Sequence, residues 1–229
     1  MIDSESQKVL KSTFKDFDDD FLVQDLTEKQ QEKAKKKAEK KDKALEAYEF
    51  DLKDFIIHSD GGVTMLAEQF YIRVVTTTTT DANGNTRTTT TYHYYYNDII
   101  IVDISNDGKI NWTSKIDKYQ HSTNDGGYLS SYALMVTNDK LHMIYNMKAR
   151  DVYEKEEKKD LTKEEKKAYL TLFVTVDNDG KIEEEILIDN RQEETYIIPK
   201  LCEEFGNNQM FLFTQRGPKT KKLGTLTLK

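Results

Sequence analysis

Residues 61–116 read GGVTMLAEQFYIRVVTTTTTDANGNTRTTTTYHYYYNDIIIVDISNDGKINWTSKI. Two long arms of β-branched and aromatic residues flank Asn83-Gly84, a dipeptide that marks a hairpin because both residues tolerate positive φ. The reading is a long hairpin with arms over Val63 to Thr80 and Thr86 to Ile104, a turn within Asp81 to Asn85, and a short third strand ending at Ile116. With Asn83 and Gly84 as the two loop residues, Val75 faces Tyr92, Arg73 faces Tyr94 and Tyr71 faces Tyr96. Such aromatic and β-branched pairs contribute roughly 0.2–1 kcal/mol each. Alternation puts His93 and Tyr95 on the face opposite Tyr92, Tyr94 and Tyr96.

Upstream, residues 1–17 carry a strand over Lys8 to Phe14. Residues 27–47 open with a capping box, Thr27 with Gln30, and continue EKAKKKAEKKDKALEA, whose apolar stripe is only Ala34, Ala38 and Leu45. That pattern predicts an exposed, charged helical insertion. Downstream, the polar loop KYQHSTNDGGYLSS leads to a second hairpin, Ser131 to Thr137 and Lys140 to Asn146, joined by Asn138-Asp139. A second charged insertion, residues 148–167, has its own capping box at Thr162 and Glu165. A strand, the turn DNDGK and a strand ending at Ile188 follow, and three more strands surround Gly206-Asn207 and Gly217-Pro218.

The chain repeats itself. An aliphatic-Asp pair, a turn and a departing strand occur at Ile2-Asp3, Val102-Asp103 and Val176-Asp177, and HSDGG from His58 is echoed by HSTNDGG from His121. Repeated four-strand meanders are the signature of propeller blades, normally about 40–50 residues each. The insertions and the threonine-rich hairpin account for the longer spacing here. The expected fold is all-β: a partial β-propeller-like array of about three four-stranded antiparallel blades with two charged helical insertions. Residues 1–17 form a stray outer strand of a preceding blade, 51–116 and 130–188 form two blades, and 196–229 an incomplete one. Since propellers typically have 4–8 blades, the arc is expected to be completed by N-terminal blades or by a second copy, with Lys8 to Phe14 pairing with Leu223 to Leu228.

AEQFYIRVVTTTTTDANGNTRTTTTYHYYYNDIIIVDISNDGKINW and QHSTNDGGYLSSYAL resemble the C-terminal part of a group of uncharacterised bacterial β-propeller-like proteins. The resemblance implies that longer relatives carry further blades upstream and an export signal directing them to the cell envelope. It implies no activity.

Composition narrows the function. A net charge of −7 argues against a general nucleic-acid binder, since phosphate contacts need a basic surface. The single Cys202 lies in the apolar run YIIPKLC, where a buried, inert thiol is expected. No apolar run is long enough to span a bilayer, so no membrane insertion is expected. MIDSESQKVL has neither the basic start nor the apolar core of a secretion signal, so the chain is expected to stay where it is made.

The four histidines, His58, His93, His121 and His142, show no zinc-motif spacing, and no glycine-rich phosphate loop occurs. No metal, cofactor or catalytic residue is therefore assigned. DISNDGK and DNDGK look like fragments of calcium loops, but the twelfth positions are Ser114 and Ile188, which supply no carboxylate; they read as hairpin turns. Glu68 and Asp98 nearly oppose each other in the hairpin, yet two carboxylates alone do not make a glycosidase. The candidate ligand-binding residues are His121, Asn124 and Asp125 on the inter-blade loop, and His93 with Tyr95 on the hairpin. The expected function is a non-catalytic binding or scaffold module for a protein or glycan. The competing reading is a glycan hydrolase or lyase with His121 as base, which requires His121, Asp125 and another titratable group within hydrogen-bond reach around one cavity.

Overall fold

A computed structural model describes residues 50–153, 160–193, 195–206, 208–216 and 220–228, together with Glu32 and Lys36. The expected strand at Lys8 to Phe14 and its pairing with the C-terminus lie outside these residues. Of the 27–47 insertion, only Glu32 and Lys36 are described; both are helical and exposed, joined by an ion pair of 3.1 Å.

The described chain is all-β, in three antiparallel sheets. The first holds β1 (Phe50–Ile57), β2 (Val63–Thr80), β3 (Thr86–Ile104), β4 (Ile110–Ile116) and β5 (Gln120–Thr123). Both β4 and β5 pair with β3, the former at Ile99 to Ile104 and the latter at His93 to Tyr96. The second is the meander β6 (Tyr132–Thr137), β7 (Lys140–Lys148), β8 (Tyr169–Val176) and β9 (Ile182–Asp189). In the third, β10 (Thr195–Ile197) and β11 (Glu203–Glu204) each pair with β12 (Gln209–Arg216), and β13 (Thr220–Thr227) takes its other edge.

One turn recurs at four strand junctions: HSDGG, DANGN, SNDGK and DNDGK. In each, the first residue's N–H donates to the carbonyl of the fifth and the fourth-residue glycine donates back to the first. That is a three-residue hairpin loop with its glycine in the left-handed region, φ 84° at Gly84 and 80° at Gly180, where side chains are disfavoured. The calcium-loop look-alikes are thus hairpin turns. In DANGN, Asp81 also accepts the amides of Asn83 and Asn85.

The three-residue loop corrects the expected pairing. Val74 faces Tyr92, Arg73 faces His93 and Tyr71 faces Tyr95, one position away from the two-residue-loop register. A bulge between Glu68 and Phe70 then shifts the register, so that Met65 meets Val102.

Layering follows from the second sheet. β7 is buried along nearly its whole length, which explains its mostly apolar run LHMIYNM, in which the polar His142 and Asn146 are hydrogen-bonded. Leu141, Met143 and Tyr145 join Leu66, Ile99, Ile101 and Ile116 in one core, while Ile144 joins Ala133, Met135, Ile197, Cys202 and Met210 in the other. Alternate residues thus serve opposite neighbours, and the second sheet is the middle layer. The second insertion contains a helical turn, Ala149–Val152, and a 3-10 turn, Glu165–Lys167. Its capping box forms: the Thr162 amide donates to Glu165 Oε2 at 2.7 Å and the Glu165 amide to Thr162 Oγ1 at 3.2 Å.

Candidate functional site

Pairing of β5 with β3 brings His93, Tyr95 and His121 together. Tyr95 lies directly opposite His121, and His93 opposite Thr123. Residues facing each other across a ladder share a face, so Tyr71, Tyr95 and His121 form a row with ring centroids 4.5 Å apart at each step. His93 joins differently. Its Nδ1 lies 3.0 Å from His121 Nε2 with the ring planes within 6°, an edge-to-edge hydrogen bond in which one imidazole donates and the other accepts. Burial, then the neighbouring His93, holds His121 below the usual imidazole range. A neutral ring at pH 7 suits that bond.

Asn124 and Asp125 shape the loop that follows. Asn124, at φ 55°, donates its backbone amide to the Tyr92 carbonyl and accepts the Tyr92 amide on its Oδ1, at 2.9 Å each. Asp125 Oδ1 accepts the Ser122 hydroxyl at 2.6 Å and the Gly127 amide at 2.9 Å. Lys200, from the third sheet's connection, donates to Gly127 O and to Tyr96 OH at 2.8 Å each. The loop is clamped, and both Asn124 and Asp125 hydrogen-bond within it or to β3.

Beneath this surface runs a buried polar chain that links all three sheets. Lys118 and Glu68, both with side chains 0% exposed, pair at 2.8 Å. Lys118 Nζ also donates to Tyr96 O and Gln120 Oε1 at 3.0 Å each, and Ser131 Oγ donates to Glu68 Oε2 at 2.6 Å. Gln120 Nε2 donates to Asn146 O on β7, and Asn146 Nδ2 donates to Ile197 O on β10 at 2.8 Å. Asp98 has other partners: Lys115 Nζ at 3.3 Å and the Lys118 amide. Burial raises the Asp98 carboxyl to about 6 against the pull of that amide. Glu68 and Asp98 therefore do not act as a carboxylate pair.

A cleft that the residue-by-residue reading missed lies between the first two sheets, lined by His58, Thr64, Asp103, Trp112, Asp139 and Asp177 among others. Thr64 Oγ1 donates to Asp103 Oδ2 at 2.7 Å and lies 2.7 Å from His58 Nε2; Asn111 Nδ2 donates to Asp103 Oδ1 at 2.7 Å. The signal for it was the repeated aliphatic-Asp pair, which delivers Asp103 and Asp177 to the same place. Among the described residues no group of three or more His, Cys, Asp or Glu could hold a metal ion, and no helix is long and apolar enough to cross a membrane.

No protein-family model matches the chain, and no curated relative does. Among solved structures, a mutant of the Synechocystis apocarotenoid oxygenase is similar at 8% identity and a TM-score of 0.28, over 79% of this chain and 50% of that one. The chain spans about half the length of that protein, and likeness at this level carries no argument about fold or activity.

Proposed function

We propose that the chain is a non-catalytic binding module of propeller type, its three sheets acting as successive blades of an arc like those of the uncharacterised bacterial proteins it resembles. Layering of one four-strand meander between two other sheets supports the arc. So do Leu52, Phe55 and Ile57, which stay 52%, 59% and 77% exposed on β1, as the face of a terminal blade awaiting a neighbour would. The observation that carries the binding reading is the row Tyr71, Tyr95, His121 with His93 attached. It is a fixed, half-buried aromatic surface whose polar edges can meet a protein or glycan ligand. A hydrolase needs His121 coupled to Asp125; instead His121 bonds His93, and Asp125 Oδ1 holds the Ser122 and Gly127 groups.

Screening the full chain on glycan and peptide arrays tests this. At least one class is expected to bind and be recovered unchanged, with affinity falling tenfold or more in Tyr95→Ala and His121→Ala. Turnover of a bound glycan that His121→Ala abolishes would establish the hydrolase or lyase reading instead.

A further inference from the structure

Val102-Asp103 and Val176-Asp177 repeat one sequence motif, and the fold brings both aspartates to the cleft between the first and second sheets. Its volume is about 130 Å³, room for several water molecules or for a charged head on a short aliphatic stem.

The walls are built rather than incidental. Asp103 is 6% exposed and Thr64 3%. Because the Thr64 proton goes to Asp103, His58 Nε2 must donate to Thr64, so all three side chains are oriented before any ligand arrives. Asp177 accepts the amides of Lys181 and Asp179, which hold its carboxyl below the usual carboxylate range. Lys181 and Lys140 act on that charge only through space, the Lys181 Nζ being paired with Glu183 at 2.6 Å. Trp112 is fixed by Nε1–H donation to Asn178 O at 2.8 Å, and Gly180 packs against its six-membered ring.

We infer that this cleft binds an organic cation, a primary ammonium or guanidinium head on an aliphatic stem. Asp103, Asp139 and Asp177 supply the charge complement, the indole supplies a quadrupole that attracts cations, and Leu141 supplies an apolar contact for the stem. An anion would meet three carboxylates. The site lies apart from the row around His121, so its fate is independent of the binding reading above.

Trp112 is the single tryptophan, which makes its emission a local reporter. The probes are Nα-acetyl-lysine methylamide and Nα-acetyl-arginine methylamide, with the uncharged Nα-acetyl-norleucine methylamide as control. Expected is a saturable change in emission with a cationic probe, weakened tenfold or more in Asp139→Asn. Asparagine suits the φ of 61° at this position, so the charge is lost without the turn; Asp177→Asn, which retains Oδ1 for the turn amides, is the second variant. Glu185→Gln, on the exposed strand β9, should bind as the parent does. The inference fails if neither cationic probe saturates, if the norleucine probe matches them, if both aspartate variants bind unchanged, or if Glu185→Gln loses as much as they do.

Discussion

Lys118→Ala is expected to remove about 3–5 kcal/mol of stability, the usual cost of leaving one member of a buried ion pair alone. Its ammonium is enclosed, with Glu68, the Tyr96 carbonyl and Gln120 as its three acceptors. Burial lowers its pKa while Glu68 opposes that shift. Without Lys118, Glu68 remains 0% exposed and keeps the Ser131 hydroxyl, too little to compensate a buried carboxylate. The double change Lys118→Met with Glu68→Leu should recover most of the loss, since an apolar pair of similar volume is often neutral or stabilising. Urea melts of the three proteins measure this. A single-variant loss below about 1 kcal/mol, well under the cost of a broken buried pair, would mean that the polar chain beneath the first sheet does not depend on this pair.

Gly180→Ala is expected to cost about 2–4 kcal/mol, combining left-handed backbone strain for an L-residue with overpacking. Gly180 has φ 80°, and a Cβ there would lie 2.6 Å from Trp112 Cε3 and 2.7 Å from Ser114 Oγ. The indole would have to leave its place beside the cleft. Gly84→Ala is the internal comparison: its φ is 84° with nothing within 4 Å of a Cβ, so it carries the backbone strain alone. Thermal melts should show the larger loss for Gly180→Ala, together with altered Trp112 emission. Equal losses at both glycines would remove the packing part of the argument.

The hairpin arms were legible because period-two alternation and the residues DANGN are local signals. Its register was not. The same five residues permit a two-residue or a three-residue loop, and the choice is reflected in Asp81, whose carboxylate caps two amides across the turn. That one-position difference is what sets Tyr95 beside Tyr71 and thence under His121. His121 and His93 were visible as candidates, but their meeting depends on β5 returning to β3, a contact between distant segments that no local pattern encodes. Lys118 was harder still. The run IDKYQ carries no local sign of burial, and only Glu68, fifty residues earlier, explains why Lys118 is buried. Of the cleft's aspartates, Asp103 and Asp177 belong to the sequence repeat and Asp139 to a hairpin joint, features that read as architecture.

The three sheets are joined through Gln120, Asn146 and the Ile197 carbonyl and are expected to unfold as one body carrying the binding surfaces. Two natural probes sit at its two seams. Trp112 packs against the core between the first and second sheets, and Cys202, 8% exposed, lies in the core between the second and third, with its sulfur accepting the Phe213 amide. Urea unfolding followed by Trp112 emission and by reaction of Cys202 with a thiol reagent should give one shared midpoint. Labelling of Cys202 at urea concentrations where Trp112 is still native would contradict the account.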